Sequence, residues 1–268
     1  MAPGDLAESL IEDLGISDPK DLDVEAISMD AGMMVRYRKL DGCAATLVGV
    51  RDRAIATISP SDSPGRDRFS IGHELGHWMM HRGRSFVCRT DDIGENIRSD
   101  KEVEKAADTY SAHLLMPSPL IKPATRGIRS VAFSHLEQLS SDFHTSLVAT
   151  AFRIVRLDIY PIILACYTKN ELKWSVRSAS VPSRWWLKPS LDPDSFAFDL
   201  IHRDVRTTGP GKQSAEAWFS NDDADKYEVI EDCSPYRSGQ VLVVLQLSAE
   251  MLELGFDQNL WTGRKINT

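Results

Sequence analysis

The run Ser70-Ile71-Gly72-His73-Glu74-Leu75-Gly76-His77-Trp78 holds the residue types best suited to chemistry. On a helix, residues four apart lie on one face, one turn apart. Two imidazoles so placed can both reach a single tetrahedral zinc at about 2.0–2.1 Å. Glu74 follows His73 directly and can reach a water in the fourth position. Zinc lowers the pKa of such a water towards about 7, and a carboxylate can take its proton and return it to a leaving amine. The chemistry expected is metal-assisted peptide hydrolysis, with His73 and His77 as ligands and Glu74 as catalytic base. H-E-x-x-H is short enough to occur by chance, so its surroundings matter. Phe69, Ile71, Leu75, Trp78 and Met79 supply the apolar positions of a helix. Gly72 and Gly76, each costing about 1 kcal/mol relative to alanine, leave room for close approach of another element or of substrate. The plainer alternative is a helix with two partly exposed histidines and a surface glutamate.

A catalytic zinc takes a third protein ligand and keeps one position open. Downstream lies Glu104-Lys105-Ala106-Ala107-Asp108. Glu104 and Asp108 are four apart, so both can face the first helix. Glu104 is the natural third ligand, and Asp108 would then accept the other ring N–H of a metal-bound histidine and fix its tautomer. Glu102 or Asp100 could supply the ligand instead, and a solvated acidic face is the alternative to any ligand. Zinc is the expected ion, although manganese or another divalent cation also suits a His, His, Glu set.

These residues need elements to hold them. Residues 1 to about 25 read as one amphipathic helix, in which Leu6, Leu10, Ile11 and Leu14 recur at helical spacing and Gly15 supplies a stop. From Met33 to Ile58 the pattern is strand-like, with Asp41-Gly42 as a hairpin turn between MVRYRKL and ATLVGV. A loop, Ser59 to Asp67, precedes the first active-site helix, about 68–81. A polar connection, Arg82 to Asp100, leads to the second, about 101–116, halted by Pro117 and Pro119. HLEQLSSDFHTSLVATAFRIVRL, residues 135–157, reads as helix, turn, helix. Beyond about 158 the runs YPIILACY, ELKWSVRS, YEVIEDC and QVLVVLQL read as strands. The expected boundary separates a domain of residues 1–158 from a β-rich domain of residues 159–268.

The chain resembles the ImmA/IrrE-like metallopeptidases. The resemblance rests on Arg68-Phe69-Ser70-Ile71-Gly72-His73-Glu74-Leu75-Gly76-His77, then Glu104 to Asp108, then Tyr110-Ser111-Ala112-His113-Leu114-Leu115-Met116-Pro117. It is strong over roughly residues 30–160. It departs from the commonest form at Asp108, at Thr109 before Tyr110, and at His113, which stands where an acidic residue is frequent; none of these is a proposed ligand. What the resemblance implies is an α+β fold. A mostly helical, zincin-like (gluzincin-like) metallopeptidase domain with a small N-terminal antiparallel sheet precedes a β-rich C-terminal domain. In some relatives that second domain is a GAF-like sensor, and a dimerisation role is equally open. The implied activity is a regulatory endopeptidase that cuts a helix-turn-helix transcriptional repressor, releasing genes for stress response or mobile-element transfer.

The 268 residues are 42% hydrophobic and 26% charged, as in an ordinary globular protein. The net charge of -8 argues against nonspecific nucleic-acid binding, and residues 135–157 are only modestly basic, so direct DNA reading is not expected of them. An acidic chain can, however, attract a basic partner protein. There is no span-length apolar run and no signal-peptide order at the N-terminus, so the expected location is cytoplasmic. Cys43, Cys88, Cys166 and Cys233 are too widely spaced for a Cys-rich zinc site and read as reduced, mostly buried thiols.

Several further residues invite roles with plainer alternatives. His81 extends the histidine row but reads as a surface residue at the helix end. Tyr110 and His113 could stabilise an oxyanion, with core packing and exposure as their plainer roles. Arg66 and Arg68 could bind substrate, and a structural pairing with an acidic neighbour is the plainer role. Trp185-Trp186 could form a binding patch or be buried. Against the peptidase stands a non-catalytic module whose zinc is structural and which sequesters a toxin or repressor. A fourth protein ligand on the metal would favour that alternative, since structural zinc sites are closed.

Overall fold

The computed structural model describes residues 1–89, 102–205 and 209–253. Helix α1 (Pro3–Asp13) carries proline in its first turn and ends ahead of Gly15, whose φ of +67° only glycine adopts cheaply. The reading of residues 1 to about 25 as one helix is corrected, because α1 ends at Asp13 and a separate helix α2 (Val24–Asp30) follows. It starts because the Asp23 carboxylate accepts hydrogen bonds from the Glu25 and Ala26 amides.

Strands β1 (Met33–Tyr37), β2 (Cys43–Val50), β3 (Arg53–Ile58) and, after α3 (Pro64–Met80), β4 (Phe86–Arg89) form a sheet in the order β1-β3-β2-β4. The expectation of an antiparallel sheet with its hairpin at Asp41-Gly42 is corrected. β1 pairs parallel with β3, while β2 pairs antiparallel with β3 and β4. The hairpin is the two-residue turn Arg51-Asp52, with Val50 opposite Arg53 and Arg51 at φ +57°. Ala45, Leu47, Ala54, Ala56 and Ile58 from this hairpin are buried. The more polar β1 takes the edge. β4 lies inside the segment read as a polar connection.

Helix α3 begins four residues before the expected Arg68, because Pro64 is pre-set for a first turn. It packs on the sheet and against α4 (Glu102–Leu115), and α1 lies on α4. Ile71, Leu75 and Trp78 are buried, and the Trp78 indole donates to the Ala31 carbonyl at 2.8 Å. Helices α5 (Ser118–Ala124), α6 (Phe133–Asp142) and α7 (Leu147–Leu157) follow, the last two spanning the expected helix-turn-helix segment. No helix among the described residues is long and apolar enough to cross a membrane.

The chain divides into two compact units. One holds Met1–Arg129 and Ser134–Arg153, the other Ser130–Phe133 and the chain from Ile154 onward. The second contains β5 (Ile162–Thr168), β6 (Leu172–Arg177), α8 (Phe196–Arg203), β7 (Gly211–Ser214), β8 (Glu228–Tyr236), β9 (Gln240–Leu247) and α9 (Ala249–Leu252). Its sheet is wholly antiparallel, in the order β6-β5-β9-β8-β7. Central strands β5 and β9 are buried along nearly their whole length, as strands covered on both faces are. The chain as a whole is thus α+β.

One carboxylate in this second core is diagnostic. Glu231 is fully buried and accepts hydrogen bonds from the Ala197 amide at 2.8 Å and the Trp218 indole at 3.0 Å. Burial nonetheless pushes its pKa up to about 7, from an ordinary 4.5. A raised folded pKa means that the protonated form is the better tolerated. Its stability contribution is full below about pH 4.5 and is lost as the pH rises through about 7. In urea unfolding, the stability of the natural chain minus that of Glu231→Gln is therefore expected to rise by up to about 3 kcal/mol between pH 7.5 and 4.5. A difference that stays flat across this range would show that Glu231 is not strained by burial.

Candidate metal centre

Two helices build the site, and glycine sets their distance. A Cβ at Gly72 would lie 2.5 Å from the Ser111 hydroxyl, and one at Gly76 would lie 3.0 Å from Tyr110 Cβ and 3.2 Å from Ala107 Cα. Of the two uses foreseen for these small residues, close approach of another element is the one found. Ser111 seals the contact by donating to the Phe69 carbonyl at 2.8 Å. The approach brings Glu104 of α4 to the two histidines of α3.

The resulting cluster is buried. His73, Glu74 and His77 are 0% exposed and Glu104 is 7% exposed. His73 Nε2 and His77 Nε2 lie 3.0 Å apart, and Glu104 Oε2 lies 3.2 Å and 3.3 Å from them. Ligand atoms about 2.0–2.1 Å from a tetrahedral centre are about 3.3–3.4 Å apart, so this triangle has nearly the dimensions of three ligands around one small cation. His73 Nδ1 lies 2.8 Å from Asp108 Oδ1. With its proton donated there, Nε2 turns a lone pair towards His77 and Glu104. A proton on one nitrogen can serve one of these contacts but not all three, whereas a shared cation serves all. The residues present fit a metal ion.

The electrostatics agree. Burial pulls the His73 pKa down, but hydrogen bonds to Asp108 and Glu104 outweigh it and raise the pKa to about 9. Burial pushes Glu104 up, and its bonds to His73 and His77 prevail, taking it to about 2. The pocket thus favours positive charge between these groups and keeps Glu104 ionised. Burial lowers the His77 pKa, leaving a neutral imidazole able to ligate. Burial lifts Glu74 to about 7, partly offset by His73 and by the Cys88 thiol. Neither Glu74 oxygen has a conventional hydrogen-bond partner among the described residues. A carboxylate so poised has the basicity wanted of a general base near neutral pH.

One member was missed. The His73, His77 and Glu104 donors lie within 4.8 Å of one another and of the thiol of Cys88, which is fully buried on β4. Spacing in the chain hid it, because a strand inside a polar connection returns to the helix. Phe86, two residues before it, stacks on the His77 ring at 4.2 Å. The one legible sign was the apolar triplet Phe86-Val87-Cys88. No disulfide joins the four cysteines.

Other candidates fall elsewhere. Glu102 is exposed, and Asp100 lies outside the described residues. His113 sits on another face of α4, 2.8 Å from Glu8 Oε1 through Nδ1 and 2.9 Å from Arg153 Nη1 through Nε2. This part-buried network, completed by bonds from Arg153 to Glu8, Ser118 and the Met116 carbonyl, holds α1, α5 and α7 to α4. The expected exposure of His113 is corrected to a half-buried bridge. Tyr110 is fully buried, its Cβ side against Gly76. His81 is half-buried beside Phe86 rather than on the open surface. Arg68 donates to the Leu22 carbonyl at 3.0 Å, close to Asp23. Trp185 is buried in the second unit, while Trp186 is 69% exposed.

The arrangement is that of an α+β protein with a buried His, His, Glu cluster on a pair of close-packed helices, able to hold a metal ion. Residues 28–155 match the model of the Peptidase_M78 family, described as an IrrE N-terminal-like domain. The match agrees with the resemblance carried by the motifs of residues 68–117. Among solved structures the chain is similar to a Mycobacterium tuberculosis transcriptional regulator, at 13% identity and a TM-score of 0.57. The match covers 92% of this chain and 75% of that one, and the likeness is one of fold. No curated protein matches the chain.

Asp108 is expected to matter through His73. Losing a partner of this kind weakens metal affinity about 10–100-fold. Asp108→Ala should do so in calorimetric zinc titration while leaving the far-ultraviolet circular dichroism unchanged. An unaltered affinity would remove Asp108 from the centre.

Proposed function

We propose that the protein is a zinc-dependent endopeptidase with a zincin-like catalytic unit, and that its substrate is a helix-turn-helix transcriptional repressor. The observation that carries the reading is Glu74. A carboxylate with no conventional hydrogen-bond partner, fully buried and lifted to a pKa of about 7, is expensive to keep unless it moves protons. In this reading His73, His77 and Glu104 hold the zinc, and Asp108 orients His73. When bound, zinc supplies the Lewis acid that polarises the scissile carbonyl and acidifies the attacking water. Glu74 removes a proton from that water and delivers it to the departing amine nitrogen. The dry walls strengthen each of these interactions.

The repressor as substrate is supported by the family-model match over residues 28–155 and by charge. DNA-binding proteins present basic surfaces, and a chain of net charge -8 suits such a partner. The C-terminal unit is proposed as a sensor or dimerisation module. Its five-stranded antiparallel sheet is compatible with a GAF-like plan, on fold analogy. A second reading is favoured by Cys88: a site closed by four protein ligands is structural, and the protein would then sequester a toxin or repressor without cutting it.

Glu74→Gln separates the readings. The variant is expected to bind zinc as the natural chain does and to cut a co-encoded repressor at least about 100-fold more slowly. Cleavage at the natural rate would refute the base assignment. A repressor left whole by the natural chain, in a stoichiometric complex, would favour sequestration.

A further inference from the structure

Beside the three proposed ligands stands a fourth donor, Cys88. Its thiol joins His73, His77 and Glu104 in a buried group whose donor atoms lie within 4.8 Å of one another. Thiolate is a strong zinc ligand at about 2.3 Å, and Cys with His closes many four-coordinate sites. The thiol does not stand alone in pointing there. Glu74 is fully buried, and the Cys88 thiol lies within hydrogen-bonding reach of its carboxylate. The thiol therefore stands next to the proposed base as well as next to the proposed ligands.

The strand is built to deliver this side chain. Side chains alternate along a strand, so Phe86 and Cys88 share the face towards α3, where Phe86 stacks on His77. Val87, on the other face, is 67% exposed. Among the described residues β4 pairs only with β2, with Cys88 opposite Ala45 and Phe86 opposite Leu47. A strand of four residues has few ladder hydrogen bonds to hold it, and short strands are among the easier parts of a sheet to detach.

We infer that Cys88 is a fourth, displaceable zinc ligand that holds the centre in a latent state, and that hydrolysis requires Cys88 to leave the position where water must enter. This rests on the zinc-peptidase reading above and refines it. It also reconciles the poised base with the closed ligand set: one chain would have a resting, four-ligand form and a working, three-ligand form.

The test is zinc-edge X-ray absorption on the full-length, zinc-loaded protein, paired with zinc affinity and repressor cleavage. The natural chain is expected to show one sulfur at about 2.3 Å among nitrogen and oxygen neighbours at about 2.0–2.1 Å. In Cys88→Ala the sulfur should vanish and zinc affinity should fall by more than about tenfold, because even an outer partner is worth that much. Cleavage at saturating zinc should rise at least about tenfold. Should Cys88→Ala fail to fold, the triple variant Cys43→Ala, Cys166→Ala, Cys233→Ala leaves Cys88 as the sole cysteine and should retain the sulfur. A nitrogen and oxygen shell alone in the natural chain overturns the proposal and leaves the peptidase reading standing. A sulfur that survives Cys88→Ala, or is lost in the triple variant, overturns it too, as does a Cys88→Ala protein that binds zinc but cuts no faster. Failure of the natural chain to bind zinc overturns both readings.

Discussion

The close approach of α3 and α4 is the constraint on which the first unit depends. Gly72 and Gly76 cost helix propensity, about 1 kcal/mol each against alanine, on the very face where side chains would hold the helices apart. The return is a carboxylate from one helix set 3.2 Å and 3.3 Å from two imidazoles of the other. Three donors gathered in a dry place repel unless they share a cation, so fold and chemistry are coupled. The helix pair concentrates lone pairs, and a metal ion would in turn bind the helices together.

The support behind this pair follows from the same need. The sheet backs α3 through its small and aliphatic residues, Ala45, Leu47, Ala56 and Ile58, all buried. On another face of α4, Glu8, His113, Ser118 and Arg153 form a hydrogen-bonded cluster. Arg153 Nη1 donates to His113 Nε2, so the imidazole is neutral and donates through Nδ1 to Glu8. An ionised pair kept out of water is costly unless fully bonded, and here each member has partners. His113, where the sequence family usually places an acid, is thus accounted for by packing. The helix that carries Glu104 is clamped from both sides.

Legibility in the sequence tracked locality. The α3 helix, the pairing of His73 with His77, and the register of Glu104 with Asp108 are short-range patterns, and periodicity exposes them. What required the fold was non-local. The parallel partnership of β1 and β3 skips an intervening strand, and a turn at Asp41-Gly42 is locally attractive even though Arg51-Asp52 makes the hairpin. α2 depends on one capping carboxylate, Asp23, rather than on a stripe. Cys88 lies 11 residues beyond His77 in a polar stretch, and only β4 pairing with β2 returns it to the cluster. The burial of Glu231 was equally hidden, because a charged residue in an alternating strand reads as facing solvent.

The proposed centre depends on Glu104 meeting His73 and His77 at one ion. Calorimetric titration of the metal-free, full-length chain with zinc tests this most directly. It should show one tight equivalent per chain, reduced at least about 100-fold in affinity by Glu104→Ala and scarcely altered by Glu102→Ala. A Glu104→Ala protein that binds zinc as the natural chain does would contradict the account.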